Sequence, residues 1–280
     1  MLRYAIDEDR LGSRLSPLVV TLDADQDTMT FVAEERLRRH GRLRWAARAT
    51  VRPVVGAFSA NALLDIYPLF MLSQAQWAAL LAPYAGGHLL DVGAAAVHVT
   101  ARLAPLYDDV TATDVSRPMV RRLRARGIRA AVLDLATRPA PDGPYDTVAL
   151  LNVLDRCARP QSMLRAAIDA LAPTGTLVVS MPLPYDPCWY DGPVSRDPVE
   201  RLALRADDWE HSAAELADTL EHHGLRIQAI TRAPYLSGGD RHHPLYVLDA
   251  VIIVATARQP AGGSADAEAD PAGVRRGAAG

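Results

Sequence analysis

The sequence predicts an α/β protein with a doubly wound, mostly parallel sheet of seven strands, an N-terminal helical extension and a disordered C-terminal tail. Three observations predict this class. Strand-like and helix-like patterns alternate between residues 73 and 258. Runs such as TLVVSM (176–181) are almost continuously apolar, as in strands that helices cover on both faces. A short loop joins the last two strands, which must therefore be antiparallel to each other.

Composition supports a globular protein with one sizeable core, because 49% of its 280 residues are hydrophobic and 22% are charged. A net charge of −3 does not favour a nucleic-acid partner. No apolar run approaches the roughly 18 residues of a membrane span, and the acidic N-terminus predicts no signal peptide. Cys157 and Cys188 have no metal-ligand spacing, so no metal site is predicted, and both are expected to be reduced thiols in a cytoplasmic protein.

Three zones follow from the pattern. Residues 1–72 form the extension, which is expected to be partly helical, residues 73–258 form the α/β domain, and residues 259–280 are too poor in large apolar groups to fold. The extension contains seven arginines and no acid between Arg36 and Arg52. This segment is either a solvated helix face or a docking site for an acidic peptide.

The first half of the domain reads as helix, strand, helix, strand, helix. Ser73 is placed to cap a helix that runs to Tyr84 and has an apolar face. Ser116 and Pro118 begin a helix that ends at Gly127. The other elements are a strand at 88–92, a helix at 97–106 and a strand at 109–114.

The second half continues the alternation and then closes with a strand pair. Strands are predicted at 128–134, 145–154 and 175–183, and helices at 160–171 and 212–223, the last stopped by Gly224. Final strands at 225–235 and 246–257 flank a loop that contains Gly238 and Gly239.

Acids end the first three strands, at the sheet edge where ligands of doubly wound folds bind. Asp91 and Gly93 close the first strand, and a glycine there permits a close approach of backbone to ligand. Asp114 follows Gly93 by 21 residues, the spacing of a carboxylate that meets ribose hydroxyls. Asp134 ends the third strand and is placed to reach an adenine edge. A simple strand-capping turn is the alternative for Gly93.

Polar and aromatic groups follow the later strands. Asn152 and Asp155, in LLNVLDRC, lie where this fold faces its substrate, unless they only cap a turn or helix. Tyr185, Tyr235 and Tyr246 either line a pocket or sit at the edge of the core. The adjacent histidine pairs at 222–223 and 242–243 point apart and are more typical of a surface.

Four segments, LLNVLDRCARP, LPYDP, TRAPYLSGGD and YVLDAVIIV, together resemble the DREV-type methyltransferases, which are protein-histidine N-pros-methyltransferases. The similarity runs from about FMLSQAQWAALL to Arg258, roughly two-thirds of the chain. The resemblance implies the class I methyltransferase fold and S-adenosylmethionine as cofactor. It also implies methyl transfer to the pros nitrogen of a histidine in a peptide or protein, often in a His-x-His context.

The resemblance also implies roles for particular residues. Asp155 would accept a hydrogen bond from the tele N–H of the histidine, and Asn152 and Tyr246 would orient the ring. The remaining implied substrate contacts are Tyr185, Arg232, Tyr235 and Asp240. The cofactor contacts are Asp91, Gly93, Ala95, Asp114 and Asp134. The sequence gives no oligomeric state.

One stretch departs from the family. The family turn reads approximately DLGAGDG, whereas this chain has DVGAAAV at 91–97. Ala95 adds a Cβ where backbone should approach the ligand and demands a positive φ from a non-glycine residue, and Ala96 removes an acid. Cofactor affinity is expected to fall by about one or two orders of magnitude. A non-catalytic peptide-binding protein with a degraded cofactor site is therefore an alternative, and a small-molecule methyltransferase is another.

Overall fold

The computed structural model describes residues 2–38, 50, 67–95, 97–191, 194–240 and 243–257. The extension begins with α1 (Glu8–Leu11), a 3-10 turn (Ser16–Leu18) and α2 (Gln26–Leu37). Most of the Arg-rich segment, and the tail predicted to be disordered, lie outside the described residues.

The main sheet has eight strands: β1 (Leu69–Phe70), β2 (His88–Val92), β3 (Asp109–Asp114), β4 (Arg129–Val132), β5 (Tyr145–Leu151), β6 (Leu171–Pro182), β9 (Leu225–Gly238) and β10 (Leu245–Ala257). Their order in the sheet is β1-β9-β10-β6-β5-β2-β3-β4. Neighbours from β4 to β6 are parallel, and β10 is inserted antiparallel between β6 and β9. A separate antiparallel hairpin consists of β7 (Trp189–Asp191) and β8 (Val194–Arg196).

The predicted doubly wound architecture is confirmed, with one more strand than expected because the two-residue β1 pairs with the outer edge of β9. Helices α3 (Gln74–Leu81), α4 (Thr100–Leu103), α5 (Arg117–Ala125), α6 (Pro160–Asp169) and α7 (Trp209–His222) connect or cover the strands. The predicted cap of α3 is present, since Ser73 and Gln76 exchange backbone-to-side-chain hydrogen bonds in a capping box.

Two predicted helix starts differ from the structure. Helix α7 begins three residues before Ser212, because the Asp208 side chain accepts the N–H of His211 as an N-cap. The helix expected from residue 97 begins only at Thr100, because Val97 has a φ of 66° and cannot belong to a right-handed helix.

The core lies on both faces of the central strands, which explains their continuous apolar runs. Val148 and Leu177 pack on one face in a cluster with α6 and α7. Ala149 and Val178 point to the other face, where Trp77 of α3 belongs to the same cluster. Among the described residues, no helix is both long and apolar enough to cross a membrane.

The parallel strands all end at one edge of the sheet, and β10 starts there because it runs in the opposite direction. This edge gathers the turn after β2, Asp114 at the end of β3, the segment after β5 and the beginning of β10. It is the edge at which ligands bind in doubly wound folds.

Candidate functional site

A cleft opens at the carboxyl end of β2. The cleft therefore brings three predicted cofactor residues, Asp91, Gly93 and Ala95, next to the predicted substrate residue Tyr235. Its lining consists of Leu69, Met71, Asp91, Gly93, Ala94, Ala95, His98, Val99, Leu151 and Tyr235.

The turn after β2 has positive φ angles at positions where the family turn has glycine and this chain has other residues. Gly93 has a φ of 66°, and a Cβ there would lie 2.8 Å from Cγ2 of Val153. Ala95 and Val97 also have positive φ, at 48° and 66°. The positive φ expected of Ala95 is thus confirmed, and Val97, whose branched side chain disfavours this region, is more strained. Ala96 lies outside the described residues.

Burial of the Val97 side chain offsets the strain of its positive φ. Its side chain is only 2% exposed and packs in a small cluster beside β3 and α5 that includes Ala112 and Leu123. The side chain therefore points into the core and is absent from the residues that line the cleft.

Two buried carboxylates support the turn. Asp91 accepts a hydrogen bond from the Thr100 hydroxyl at 2.6 Å, and burial, with a smaller contribution from Asp114, raises its pKa to about 7. Asp114 accepts the N–H of Ala95 at 3.0 Å and that of Ser116 at 2.7 Å, and burial raises its pKa. Each Asp114 oxygen keeps a further lone pair for a ligand hydroxyl.

These features fit the predicted cofactor. Asp91 places a carboxyl group in the cleft lining, and Gly93 brings its backbone there, beside Val153. Asp114 ends β3 next to this turn but is absent from the cleft lining, so its ribose contact stays a prediction. Asp134 is half-buried, and its carboxylate accepts the N–H of Ala136 at 3.0 Å. It is absent from the cleft lining, and its adenine contact stays a prediction.

Asn152 follows β5 with a φ of 55°, a region that asparagine tolerates better than most residues. Its N–H donates to the carbonyl of Ser180 at 2.9 Å, and its Oδ1 accepts from the Ser180 hydroxyl at 2.9 Å. Two hydrogen bonds to β6 thus fix both the backbone and the amide group of this residue.

Asp155 is only 2% exposed. Its Oδ2 lies 3.2 Å from Nε of Arg156, whereas Oδ1 has no hydrogen-bond partner among the described residues. Burial raises the pKa of this carboxyl to about 6, although Arg156 opposes the increase. The result is a buried carboxylate with one oxygen available to a donor.

Two tyrosines complete this group. The buried hydroxyl of Tyr235 lies beside the Asn152 amide, and burial raises its pKa. Burial also raises the pKa of Tyr185 to about 12, with the nearby Asp155 charge adding to the increase. The structure therefore brings Tyr235 beside Asn152, whereas a contact of Tyr185 with the other predicted substrate residues stays a prediction.

Tyr246 and Asp240 form a separate pair. The Tyr246 hydroxyl donates to Asp240 at 2.6 Å, where Asp240 also accepts the N–H of His243. Leu248 lies opposite Tyr235, and Tyr246 is two residues from Leu248 on the same strand. Tyr246 therefore lies on the same sheet face as Tyr235, closer to the loop between β9 and β10. Its hydrogen bond goes to Asp240 rather than to Asn152 or Asp155, so its role toward substrate stays a prediction.

The structure corrects the prediction for Arg232, which lies on the opposite face of β9 from Tyr235. It is 7% exposed and binds both oxygens of Asp249, at 2.8 and 2.6 Å. It also donates to Glu210 at 3.0 Å and to the carbonyl of Ala5 at 3.1 Å. Arg232 therefore joins the extension, α7 and the sheet, and it does not contact the cleft.

Sequence reasoning missed His98, which lines the cleft, and Ser180, which holds Asn152. The signal for Ser180 was present, since it is a lone hydroxyl late in an apolar strand and such a buried group needs a partner. Cys157 and Cys188 are free thiols, and Cys188 lies 2.9 Å from a guanidinium nitrogen of Arg156.

Sequence relatives are distant. Two ubiquinone biosynthesis O-methyltransferases, from Marinobacter nauticus and Xanthomonas euvesicatoria pv. vesicatoria, are each 26% identical over 163 and 161 residues. The alignments cover 54% of this chain and 68% and 67% of those proteins, respectively.

Similar solved structures include the N-methyltransferase NodS from Bradyrhizobium japonicum WM9 with S-adenosyl-L-homocysteine, at 19% identity and a TM-score of 0.42. That alignment covers 66% of this chain and 85% of NodS. Another is a putative methyltransferase from Bacillus halodurans C-125, at 13% identity and a TM-score of 0.47, covering 67% of this chain and 98% of the other.

The family comparison covers far more of the chain. The model of the DREV methyltransferase family matches residues 3–257, from the beginning of the extension to the end of β10. The predicted family is confirmed: the chain belongs to the DREV methyltransferases.

Proposed function

We propose that this methyltransferase transfers a methyl group from S-adenosylmethionine to the pros nitrogen of a histidine in a peptide or protein. The methyltransferase class and its cofactor follow from the family. The observation that carries the choice of acceptor is Asp155, a carboxylate buried at the carboxyl end of β5 with Oδ1 lacking a partner among the described residues.

An imidazole supplies the hydrogen-bond donor that Oδ1 of Asp155 lacks. In neutral imidazole one nitrogen carries the proton and the other the lone pair. If the tele N–H donates to Asp155, the pros lone pair is free to attack the methyl group. The carboxylate also stabilises the positive charge that develops on the ring, and a buried site strengthens this attraction.

The cofactor supplies an activated methyl group on a sulfonium centre, so the protein's main contribution is orientation. Asp91, the Gly93 turn and Asp114 would hold the donor on one side of the cleft. Tyr235 lines the cleft and also lies beside Asn152, so it connects the donor side with the acceptor side. Asn152, Tyr185 and Tyr246 would orient the acceptor.

The test is incubation of the purified protein with isotopically labelled S-adenosylmethionine and His-x-His peptides, followed by mass spectrometry. We expect the mass of one methyl group on histidine, and NMR of the product should place it on the pros nitrogen. A peptide with tele-methylhistidine at the target is the matched control and should not be methylated, because it has no tele N–H. The proposal is wrong if the protein binds the cofactor and methylates no histidine peptide.

The strained turn favours a second candidate, a peptide-binding protein that no longer holds the cofactor. Its support is the positive φ of Ala95 and Val97 where the family has glycines. Calorimetry separates the two: peptide affinity without affinity for S-adenosylhomocysteine would favour the second. If free histidine derivatives are better substrates than peptides, the protein is instead a small-molecule methyltransferase.

A further inference from the structure

We infer that Ser180 is a positioning residue that turns the Asn152 amide so that its NH₂ group faces the substrate and selects a hydrogen-bond acceptor there. The inference rests on the proposed function, since it concerns the same acceptor site. The acceptor that a histidine peptide offers is a backbone carbonyl beside the methylated residue.

The first support is the geometry between β5 and β6. The Ser180 hydroxyl donates to Oδ1 of Asn152 at 2.9 Å, and the Asn152 N–H donates to the Ser180 carbonyl at 2.9 Å. Ser180 is fully buried, so water does not compete for its hydroxyl. An amide whose oxygen is held in this way must direct its NH₂ group away from Ser180.

The second support is what lies on the other side of the amide. The NH₂ nitrogen of Asn152 is buried and has no hydrogen-bond partner among the described residues. The Tyr235 hydroxyl lies nearby, and it lines the cleft. A buried donor without a partner is costly, so a ligand acceptor at this point is favoured.

The third support is the sequence around Ser180. Its neighbours on β6, Val179 and Met181, are fully buried, and alanine would fill the same place in an apolar strand. Serine adds a hydroxyl whose hydrogen bond goes to Asn152. Without that bond the amide is free to rotate by half a turn, which exchanges its donor and acceptor ends.

Together, Asn152 and Asp155 present one donor and one acceptor. Oδ1 of Asp155 accepts from the imidazole N–H, and the Asn152 NH₂ donates to a carbonyl. A histidine within a peptide offers both groups, whereas an imidazole compound without an adjoining carbonyl offers only the first. The orientation set by Ser180 therefore contributes to the choice of peptides as substrates.

The experiment compares wild type, Ser180→Ala and Ser180→Thr with His-x-His peptides that carry a thioamide either at the target histidine or at the residue before it. Sulfur is a weaker acceptor than oxygen, so we expect one of the two thioamides to weaken wild-type binding by about 5- to 10-fold. Ser180→Ala should bind the all-oxygen peptide about as weakly as wild type binds that thioamide peptide, and it should show no preference for oxygen. Ser180→Thr keeps the hydroxyl and should restore the preference. Calorimetry in the presence of S-adenosylhomocysteine measures the affinities.

Thr176→Val is the control, because it removes a hydroxyl four residues before Ser180 in the same strand and should keep the preference for oxygen. A merely structural role of Ser180 would lower the melting temperature and leave the oxygen preference intact, which would overturn the inference. Equal affinity of wild type for all three peptides would also overturn it. If wild type binds peptide with an oxygen preference and transfers no methyl, the proposed function fails while this inference holds.

Discussion

Under the proposed function, burial of Asp155 sets the pH range in which the site acts. Burial raises the pKa of this carboxyl to about 6, and only the ionised form accepts a hydrogen bond from imidazole without also carrying a donor. The imidazole of the proposed substrate must also be neutral, which requires a pH above about 6.5. We therefore expect methyl transfer to rise with pH through both values.

Asp155→Asn should lower kcat/KM by about 10- to 100-fold, because a hydrogen bond to a charged group is worth about 1.5–3 kcal/mol. Its rate should depend on pH only through the substrate. Rates measured between about pH 5 and 8 test this, over the range in which histidine titrates. Asp186→Asn, an exposed acid nearby in the chain, is the control. A variant profile identical to that of wild type would contradict the assigned role.

Ala95 allows a direct test of strain in the cofactor turn. Its φ of 48° is easy for glycine and costs an L-residue roughly 1 kcal/mol. Ala95→Gly should raise the free energy of unfolding by about that amount and tighten S-adenosylhomocysteine binding by about 5- to 10-fold. Urea unfolding and calorimetry measure the two effects.

Ala94→Gly is the matched control for Ala95→Gly. Ala94 is buried and is not among the residues with positive φ, so glycine there should lower stability. If Ala95→Gly is also less stable than wild type, the turn is not strained in the way described.

At the scale of elements, long strands with two buried faces were predictable because their apolar runs are continuous. Strands β1, β7 and β8 were not, since two or three residues carry no periodic signal. The start of α4 was misplaced because the sequence does not show that Val97 adopts a left-handed conformation. The sheet face to which each side chain points was also not predicted. Arg232 and Tyr235 were both predicted to contact substrate, but residues three positions apart on a strand point to opposite faces.

Arg232 connects elements that are far apart in sequence, so its removal should strongly destabilise the fold. Arg232→Ala leaves Glu210 and Asp249 without their main partner and should lower the free energy of unfolding by about 3–5 kcal/mol. Arg121→Ala, on the exposed side of α5, should change it by less than about 0.5 kcal/mol. Urea unfolding curves of both variants measure the two changes. If Arg232→Ala lowers the free energy of unfolding by less than about 1 kcal/mol, Arg232 has no structural role of this kind.

For the whole molecule, buried acids make stability depend on pH in an unusual direction. The pKa is raised to about 7 for Asp91 and to about 6 for Asp155, from values near 3.8. Between these limits the folded state binds more protons than the unfolded chain, so these groups lower the free energy of unfolding as pH rises from about 4 to 7.

Asp91→Asn should reduce this slope. The variant should gain stability relative to wild type as the pH increases, by up to about 1.4 kcal/mol for each unit by which the Asp91 pKa is raised. Urea unfolding at a series of pH values measures the difference. A difference between variant and wild type that does not change with pH would show that Asp91 titrates normally in the folded protein.

The candidate site was predictable where strand ends determine it. Asp91, Asp114 and Asn152, at or just after the ends of β2, β3 and β5, lie at one edge because parallel strands end together. The pairing of Tyr246 with Asp240, and the hold of Ser180 on Asn152, depend on side-chain directions that no spacing reveals.

The sheet edge also has an evolutionary consequence. The proposed donor-side groups Asp91, Gly93 and Asp114 and the proposed acceptor-side groups at residues 152–246 come from two separate stretches of the chain, so selection acts on two stretches of the gene. Mutational drift can fill one stretch with alanines while the other is preserved. The two stretches constrain each other where Gly93 meets Val153, since any side chain at 93 requires a smaller neighbour at 153. Among homologues, we expect these two positions to covary.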